Sequence, residues 1–284
     1  MRASSLPPLQ PHRAHNLPRT PPASMAKPRG NTASHSDMHD ACSTLMGYRR
    51  HRTLPACARA NAYRMATERE MEDTVELVLI RHGETPGNAE RRYVGALDQP
   101  LSERGRRQAR EAGVHPDEEL VYVSSMTRSQ QTAAIMFPNA RQVVVPGVQE
   151  MDFGTFAGRT ADEMADDDAY RAWVAGNCEG TCPNGESRAE FIERICAAMT
   201  AFCHALREQD ERRAILVAHG GTMMASLYRM ADTRRDYYDW LTGNCGGYRM
   251  DVAFPNGSVE FRNIESWGPA TQHGRAAGPF GGNA

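Results

Sequence analysis

Two histidines in this chain stand where chemistry could be done. The stretch Leu77–Glu90, LVLIRHGETPGNAE, runs apolar as far as Ile80, then sets Arg81 beside His82 and turns at Gly83. The stretch LVAHGGT repeats the arrangement, with His219 after an apolar run and Gly220-Gly221 behind it. An imidazole changes charge near neutrality and can serve as nucleophile, base or acid. A guanidinium beside it offers a planar fork to anionic oxygens. Taken alone, either histidine could be a strand end surfacing into solvent. Two more charged residues follow apolar runs, however. Arg128 lies in SSMTRSQQTA, after the run ending at Ser124, and Glu150 lies in QEM, after the run ending near Val145.

The elements that must position these residues alternate along the chain. Strands are predicted over Val75–Ile80, Leu120–Ser124, Arg141–Val145 and Ala214–Ala218. Helices are predicted over Ser102–Gly113 with Ser102 as its cap, Thr127–Phe137 stopped by Pro138, Thr160–Ala175 and Gly221–Met230. Ser187-Arg188-Ala189-Glu190 is a capping box. Behind it Phe191, Ile192, Ile195, Met199, Phe202 and Leu206 recur at helical spacing. Tyr248–Ala253 and Ser258–Asn263, joined by Pro-Asn-Gly, read as a hairpin. Strands alternating with helices imply an α/β three-layer sandwich with a mainly parallel sheet. Such sheets take ligands just beyond the C-terminal ends of their strands. Both histidines fall there, so one crevice could hold them.

Composition bounds the partners. The 284 residues suit one large domain or two small ones, and the formal net charge of -2 calls for no special partner. The charge is uneven. Residues 1–64 hold nine Arg and one Lys against two Asp, a net of +8, which leaves -10 for the rest. This segment has eight of the 17 Pro and no apolar periodicity, so residues 1–72 are expected to be a disordered basic extension. Its Arg and Ser content resembles a transit peptide, but a non-functional extension ahead of Met65 and Met71 is the simpler reading. It lacks the apolar core of a secretory signal, a run able to span a membrane, and the aromatic interleaving of a nucleic-acid binder. A histidine-bearing catalytic domain is expected over residues 73–267, with a flexible Gly-rich tail over 268–284.

Seven Cys with no C-x-x-C pair fit free thiols and a reducing, cytoplasmic setting. Cys178 and Cys182 have no second Cys/His pair to complete a zinc site, and Cys196 and Cys203 read as small core residues. His204 has no partner motif and reads as structural. No metal or cofactor is expected.

The four segments together resemble the histidine phosphatase superfamily, which includes the cofactor-dependent phosphoglycerate mutases. The resemblance runs from about Leu77 to Val252 and rests on R-H-G-x-T, a following Asn, S-S-x-x-R-x-x-Q-T, Glu150 and H-G-G, in that order. It implies a phosphoglycerate mutase-like fold. It implies that His82 is a nucleophile attacking phosphorus, with its other ring nitrogen held by a backbone carbonyl. Arg81, Arg128 and His219 would surround the phosphoryl oxygens, as spread negative charge requires. Glu150 would protonate the leaving oxygen and then activate water. Thr85, Asn88, Gly95 and Gly220 would line or contact the phosphate site, and Gly185-Glu186-Ser187 would touch substrate.

Within that family, RRYVGALDQPLSERG and QEMDFGTFAG look most like the α-ribazole phosphatases. Phe156-Ala157 departs from their commoner Trp-Glu, and Asn184 from their commoner Gly. A phosphatase of broader range, acting on sugar phosphates or phosphoglycerate, is a close alternative. A mutase is less favoured, because only 35 positions separate Glu150 from Gly185 and the basic Pro-rich insertion of those mutases is missing. A non-catalytic phosphate binder is least favoured. The expected partner is a small-molecule phosphate ester, with no nucleic acid and no membrane, and the chain is expected to be a monomer or homodimer.

Overall fold

The first strand, β1 (Val75–Arg81), lies inside the sheet, because both of its faces are apolar. Val75, Leu77 and Leu79 enter one core, and Val78 and Ile80 enter the other. The structure, a computed structural model, describes residues 74–269. The expected extension over 1–72, and all but two residues of the expected tail over 268–284, lie outside the described residues.

After β1 come the single turn α1 (Pro86–Ala89), α2 (Glu103–Glu111), β2 (Leu120–Val123), α3 (Thr127–Met136) and β3 (Arg141–Val144). Then follow α4 (Asp168–Ala175), α5 (Arg188–Glu208), β4 (Arg213–Ala218), α6 (Gly220–Met230), β5 (Gly247–Ala253) and β6 (Glu260–Trp267). The sheet order is β3-β2-β4-β1-β5-β6. The pairs β2–β3, β2–β4 and β1–β4 are parallel, and β5 and β6 add an antiparallel margin.

Helices cover both faces. Ala109 of α2 with Ala133 and Met136 of α3 pack on Val78, Ile80, Val121 and Val123. On the other face α5 and α6 bury Phe191, Ile195, Met199, Met223 and Leu227 against Leu77, Leu79 and Leu216. This is the three-layer α/β sandwich that the alternation implied.

Capping chemistry sets the helix starts. Ser187 accepts from the Glu190 amide, and the Glu190 carboxylate accepts from the Ser187 amide at 2.8 Å, so the capping box of α5 forms as written. Ser102 likewise accepts from the Gly105 amide at 3.0 Å and starts α2.

Two expectations need correction. The helix expected over Thr160–Ala175 is interrupted: a 3-10 turn spans Asp162–Met164, and α4 begins only at Asp168. Asp167 ends the first piece by capping the second, its carboxylate accepting from the amides of Ala169 and Tyr170. The last strand also begins later and runs further than Ser258–Asn263. Pro255–Gly257 forms a 3-10 turn, with Asn256 at φ 52°, before β6 pairs with β5.

Candidate active site

The C-terminal ends of β1, β2 and β4 converge, and the loop after β3 reaches the same place. Arg81 ends β1, Ser124 follows β2, and His219 follows β4. A cavity of about 820 Å³ opens there, lined among others by Arg81, His82, Asn88, Gly95, Arg128, Glu150 and Gly220.

His82 is buried, and its geometry fixes its tautomer. Its Nδ1 lies 2.6 Å from the carbonyl oxygen of Gly83. A carbonyl can only accept, so Nδ1 carries the proton and Nε2 keeps its lone pair. That lone pair accepts from Arg128 Nε at 3.1 Å. Burial, then the cations of Arg128 and Arg81, hold the His82 pKa well below the usual 6.5.

Arg128 is buried, and its guanidinium is fully directed. Besides His82 it donates to the carbonyls of Leu97 at 2.8 Å and Gly95 at 2.7 Å. Gly95 is at φ 51°, where a Cβ would stand 2.5 Å from the Met151 carbonyl oxygen, so only glycine presents this acceptor. Arg81 donates to the Thr242 carbonyl at 2.5 Å, while its Nε is buried without a partner among the described residues.

His219 stands beside His82, with ring centroids 5.2 Å apart. Its Nε2 lies 2.8 Å from Ser124 Oγ, and its Nδ1 is buried without a partner among the described residues. Burial and the neighbouring Arg128 lower its pKa well below 6.5. His219 is fully buried and stands behind the cavity wall rather than on it.

Glu150 reaches the site through the N-terminus of α6. Its carboxylate accepts from the Gly221 amide and the Met151 amide, each at 3.0 Å. Thr222 Oγ1 donates to the Val148 carbonyl at 3.0 Å, which ties the Glu150 loop to the same turn. Gly220 opens that turn beside the Arg81 side chain.

Thr85 and Asn88 engage each other. The Asn88 amide donates to Thr85 Oγ1 at 3.2 Å, and the Thr85 amide donates to Asn88 Oδ1 at 3.1 Å. Asn88 lines the cavity, whereas Thr85 is fully buried behind it as the cap of α1.

Gly185-Glu186-Ser187 does not line the cavity, contrary to expectation, because it is occupied in holding the Glu150 loop. The Glu186 carboxylate accepts from the Asp152 amide at 2.9 Å and from Arg194 at 2.7 and 2.8 Å. Arg194 in turn donates to the carbonyls of Gly147 at 2.8 Å and Gln149 at 3.1 Å. The two departures from the α-ribazole pattern are packed as structure. Phe156 is fully buried against Tyr170 and Trp173, and Asn184 sits at φ 60°, which asparagine tolerates.

Several contributors went unread in the sequence. Asn244 lines the cavity and donates to the His82 carbonyl at 3.0 Å, and the Cys245 amide donates to the Arg81 carbonyl at 3.0 Å. Thr132 Oγ1 accepts from the Gly83 amide at 3.0 Å. No local pattern marks the Asn244 loop, since it meets β1 from 162 positions away. Thr132 could have been found, as the last residue of the R-x-x-Q-T stretch. Among the described residues no cluster of three His, Cys, Asp or Glu could hold a metal ion, and no helix is long and apolar enough to cross a membrane. His204 packs its ring against Phe254 at 5.5 Å, away from the site.

Residues 77–263 match the histidine phosphatase superfamily (branch 1), and the chain belongs to that family. A relative from Enterobacter sp. (strain 638), named "Probable phosphoglycerate mutase GpmB", is 35% identical over 153 residues, 51% of this chain and 70% of its own length. The structure of a mycobacterial glucosyl-3-phosphoglycerate phosphatase superposes with a TM-score of 0.54 at 26% identity, covering 69% of this chain and 100% of that one. The α-ribazole phosphatase of Shigella flexneri shares the fold, with a TM-score of 0.55 at 23% identity over 66% of this chain and 95% of that one. These likenesses support a phosphatase or mutase enzyme on a phosphoglycerate mutase-like fold.

Proposed function

We propose that the protein is a phosphomonoesterase that hydrolyses a small phosphorylated metabolite through a phosphohistidine at His82. The observation that carries this reading is the His82 tautomer: Nδ1–H is tied to the Gly83 carbonyl, and the Nε2 lone pair accepts from Arg128 Nε at 3.1 Å. Nε2 attacks phosphorus, and the bond from phosphorus to the ester oxygen breaks. Glu150 gives its proton to that oxygen. Glu150 then takes a proton from water as the water oxygen attacks phosphorus. The phosphorus–nitrogen bond breaks, inorganic phosphate leaves, and His82 regains its lone pair.

Arg81 and Arg128, which line the cavity, bind the phosphoryl oxygens, and His219, just behind its wall with Nδ1 unpartnered among the described residues, is the third group on the phosphate side. Asn88, Gly95 and Gly220 shape the phosphate end of the cavity, with Thr85 holding Asn88 in place. The chemistry uses only these side chains and water.

The resemblance in RRYVGALDQPLSERG and QEMDFGTFAG favours α-ribazole 5′-phosphate, and with it a part in cobalamin assembly in the cytoplasm. The identity to relatives named as phosphoglycerate mutases supports a second reading, transfer back to a phosphoglycerate. A panel containing α-ribazole 5′-phosphate, sugar phosphates and 3-phosphoglycerate, with both inorganic phosphate and 2-phosphoglycerate measured, separates them. Release of inorganic phosphate without 2-phosphoglycerate is expected; 2-phosphoglycerate as the main product would make the protein a mutase.

A further inference from the structure

Most groups of the proposed chemistry are set by a strand or a helix. Arg81 ends β1 and His82 follows it, Arg128 lies in α3, and His219 follows β4. Glu150 differs. It stands between β3, which ends at Val144, and a 3-10 turn at Gly154–Phe156, in a stretch with no strand or helix of its own. A catalytic group on a loop keeps its geometry only if other side chains hold that loop.

One ion pair does so. Arg194, in α5, turns its whole guanidinium toward the loop. Its Nη1 donates to the carbonyls of Gly147 at 2.8 Å and Gln149 at 3.1 Å, and its Nη2 donates to the carbonyl of Glu150 itself at 3.3 Å. Its Nε and Nη2 also donate to the two oxygens of Glu186, at 2.7 and 2.8 Å. Glu186 carries the hold to the other side of Glu150. Its carboxylate accepts from the Asp152 amide at 2.9 Å, and its own amide donates to the Asp152 carbonyl at 2.9 Å. The backbone is gripped on both flanks of the acid.

The same guanidinium backs the carboxylate end. It lies over the Phe191 ring, 5.2 Å from the centroid. That ring is fully buried behind the turn that opens α6, where a Cβ on Gly221 would stand 3.0 Å from it. Gly221 is the residue whose amide binds the Glu150 carboxylate. Arg194 thus touches both the loop that carries Glu150 and the ring behind the turn that receives it. Side-chain exposures of 30% for Arg194 and 21% for Glu186 leave the pair within reach of solvent, where an ion pair adds little to stability. Neither side chain lines the cavity, so neither touches substrate.

We propose that Arg194 and Glu186 are a positioning pair for the general acid and base, so that losing either one is felt in the steps that use Glu150 rather than in the attack by His82. The proposal rests on the phosphatase reading above and on Glu150 as its acid.

Two variants of the full-length protein test it. Arg194→Lys keeps the charge but loses the planar fork that spans loop and carboxylate, and Glu186→Gln keeps an acceptor for the Asp152 amide but loses the charge. The probes are nitrophenyl phosphate and the best alkyl phosphate of the panel above. Displacing a catalytic group by about 1 Å costs on the order of a hundredfold, so kcat/KM for the alkyl ester should fall by about that factor in each variant. The loss on nitrophenyl phosphate should be smaller by about tenfold or more, because nitrophenolate leaves without a proton. Comparing the two esters cancels any loss of folded protein. In a Glu150→Gln background, adding Arg194→Lys should lower the alkyl rate by no more than about threefold, since residues that act through one group are not additive. Equal losses on both esters, no loss on the alkyl ester, or the full loss repeated in the Glu150→Gln background would each overturn the proposal while leaving the phosphatase standing. Absence of phosphate release in the wild type would instead sink the phosphatase reading. A Glu150→Gln variant that loses both esters equally would remove Glu150 as the acid, and the proposal with it.

Discussion

At the scale of the residue, His82 is kept reactive by what surrounds it. Its carbonyl-bound Nδ1, its burial and its two arginine neighbours all favour the neutral ring. His219 is also held neutral, by burial and then by the Arg128 cation, with no carbonyl on its Nδ1. This has a consequence for stability. In the unfolded chain each imidazole takes up a proton near pH 6.5, while in the fold both stay neutral well below that. The unfolded state therefore binds more protons once the pH drops under 6.5, and stability falls with it. The stabilising contribution is fully present above 6.5 and is lost from there downward toward the folded pKa values. The melting temperature should fall between about pH 7 and about pH 5, and His219→Asn should flatten that slope. A slope unchanged in the variant would mean that His219 is not held neutral. Glu150 gives a separate test. A positioned general acid contributes about 10²–10⁴ in rate, so Glu150→Gln should cost an alkyl phosphate about that much and a nitrophenyl ester far less. Equal losses on both would remove Glu150 from the acid role.

At the scale of the element, the site is a meeting of strand ends and one helix start. The turn that opens α6 supplies the Gly221 amide to Glu150, and a Cβ at Gly221 would fall 1.9 Å from Glu150 Oε1. Alanine is the better helix former, so Gly221→Ala should leave the melting temperature nearly unchanged or raise it. Displacing a catalytic group by about 1 Å costs on the order of a hundredfold, so kcat/KM should drop by about that factor. A fully active Gly221→Ala would show that Glu150 is not held there. The elements carrying these groups were legible in sequence. β1 and β4 each contain a continuous apolar run, Leu77–Ile80 and Ala214–Ala218, and each run is followed within two residues by its histidine. The box Ser187/Glu190 and the spacing Phe191, Ile195, Met199 fixed α5. What was not legible depends on contacts distant in sequence. Asn244 reaches the His82 carbonyl from the far end of the chain, and Glu186 serves Arg194 and the Asp152 amide rather than the cavity. The helix expected over Thr160–Ala175 broke because helical periodicity says nothing of which carboxylate caps which amide; Asp167 does so here.

At the scale of the molecule, a mainly parallel sheet flanked by two helical layers brings Arg81, Arg128 and Glu150 to one cavity with His219 behind its wall, residues that span 138 positions of sequence. The antiparallel margin contributes too, since the loop leading into β5 holds Arg81 and His82 through Thr242, Asn244 and Cys245. All the proposed catalytic side chains fall within residues 77–263, the part that matches the family. The whole arrangement is built around one covalent event at one nitrogen, and trapping that event tests the account most directly. The full-length protein is mixed with a ³²P-labelled phosphate monoester and quenched within a turnover, and the label on protein is followed in acid and in base. The label is expected to survive base, to be lost in acid, to map to the peptide containing His82 and to be absent from His82→Ala. Acid-stable label, or label that persists in His82→Ala, would contradict it.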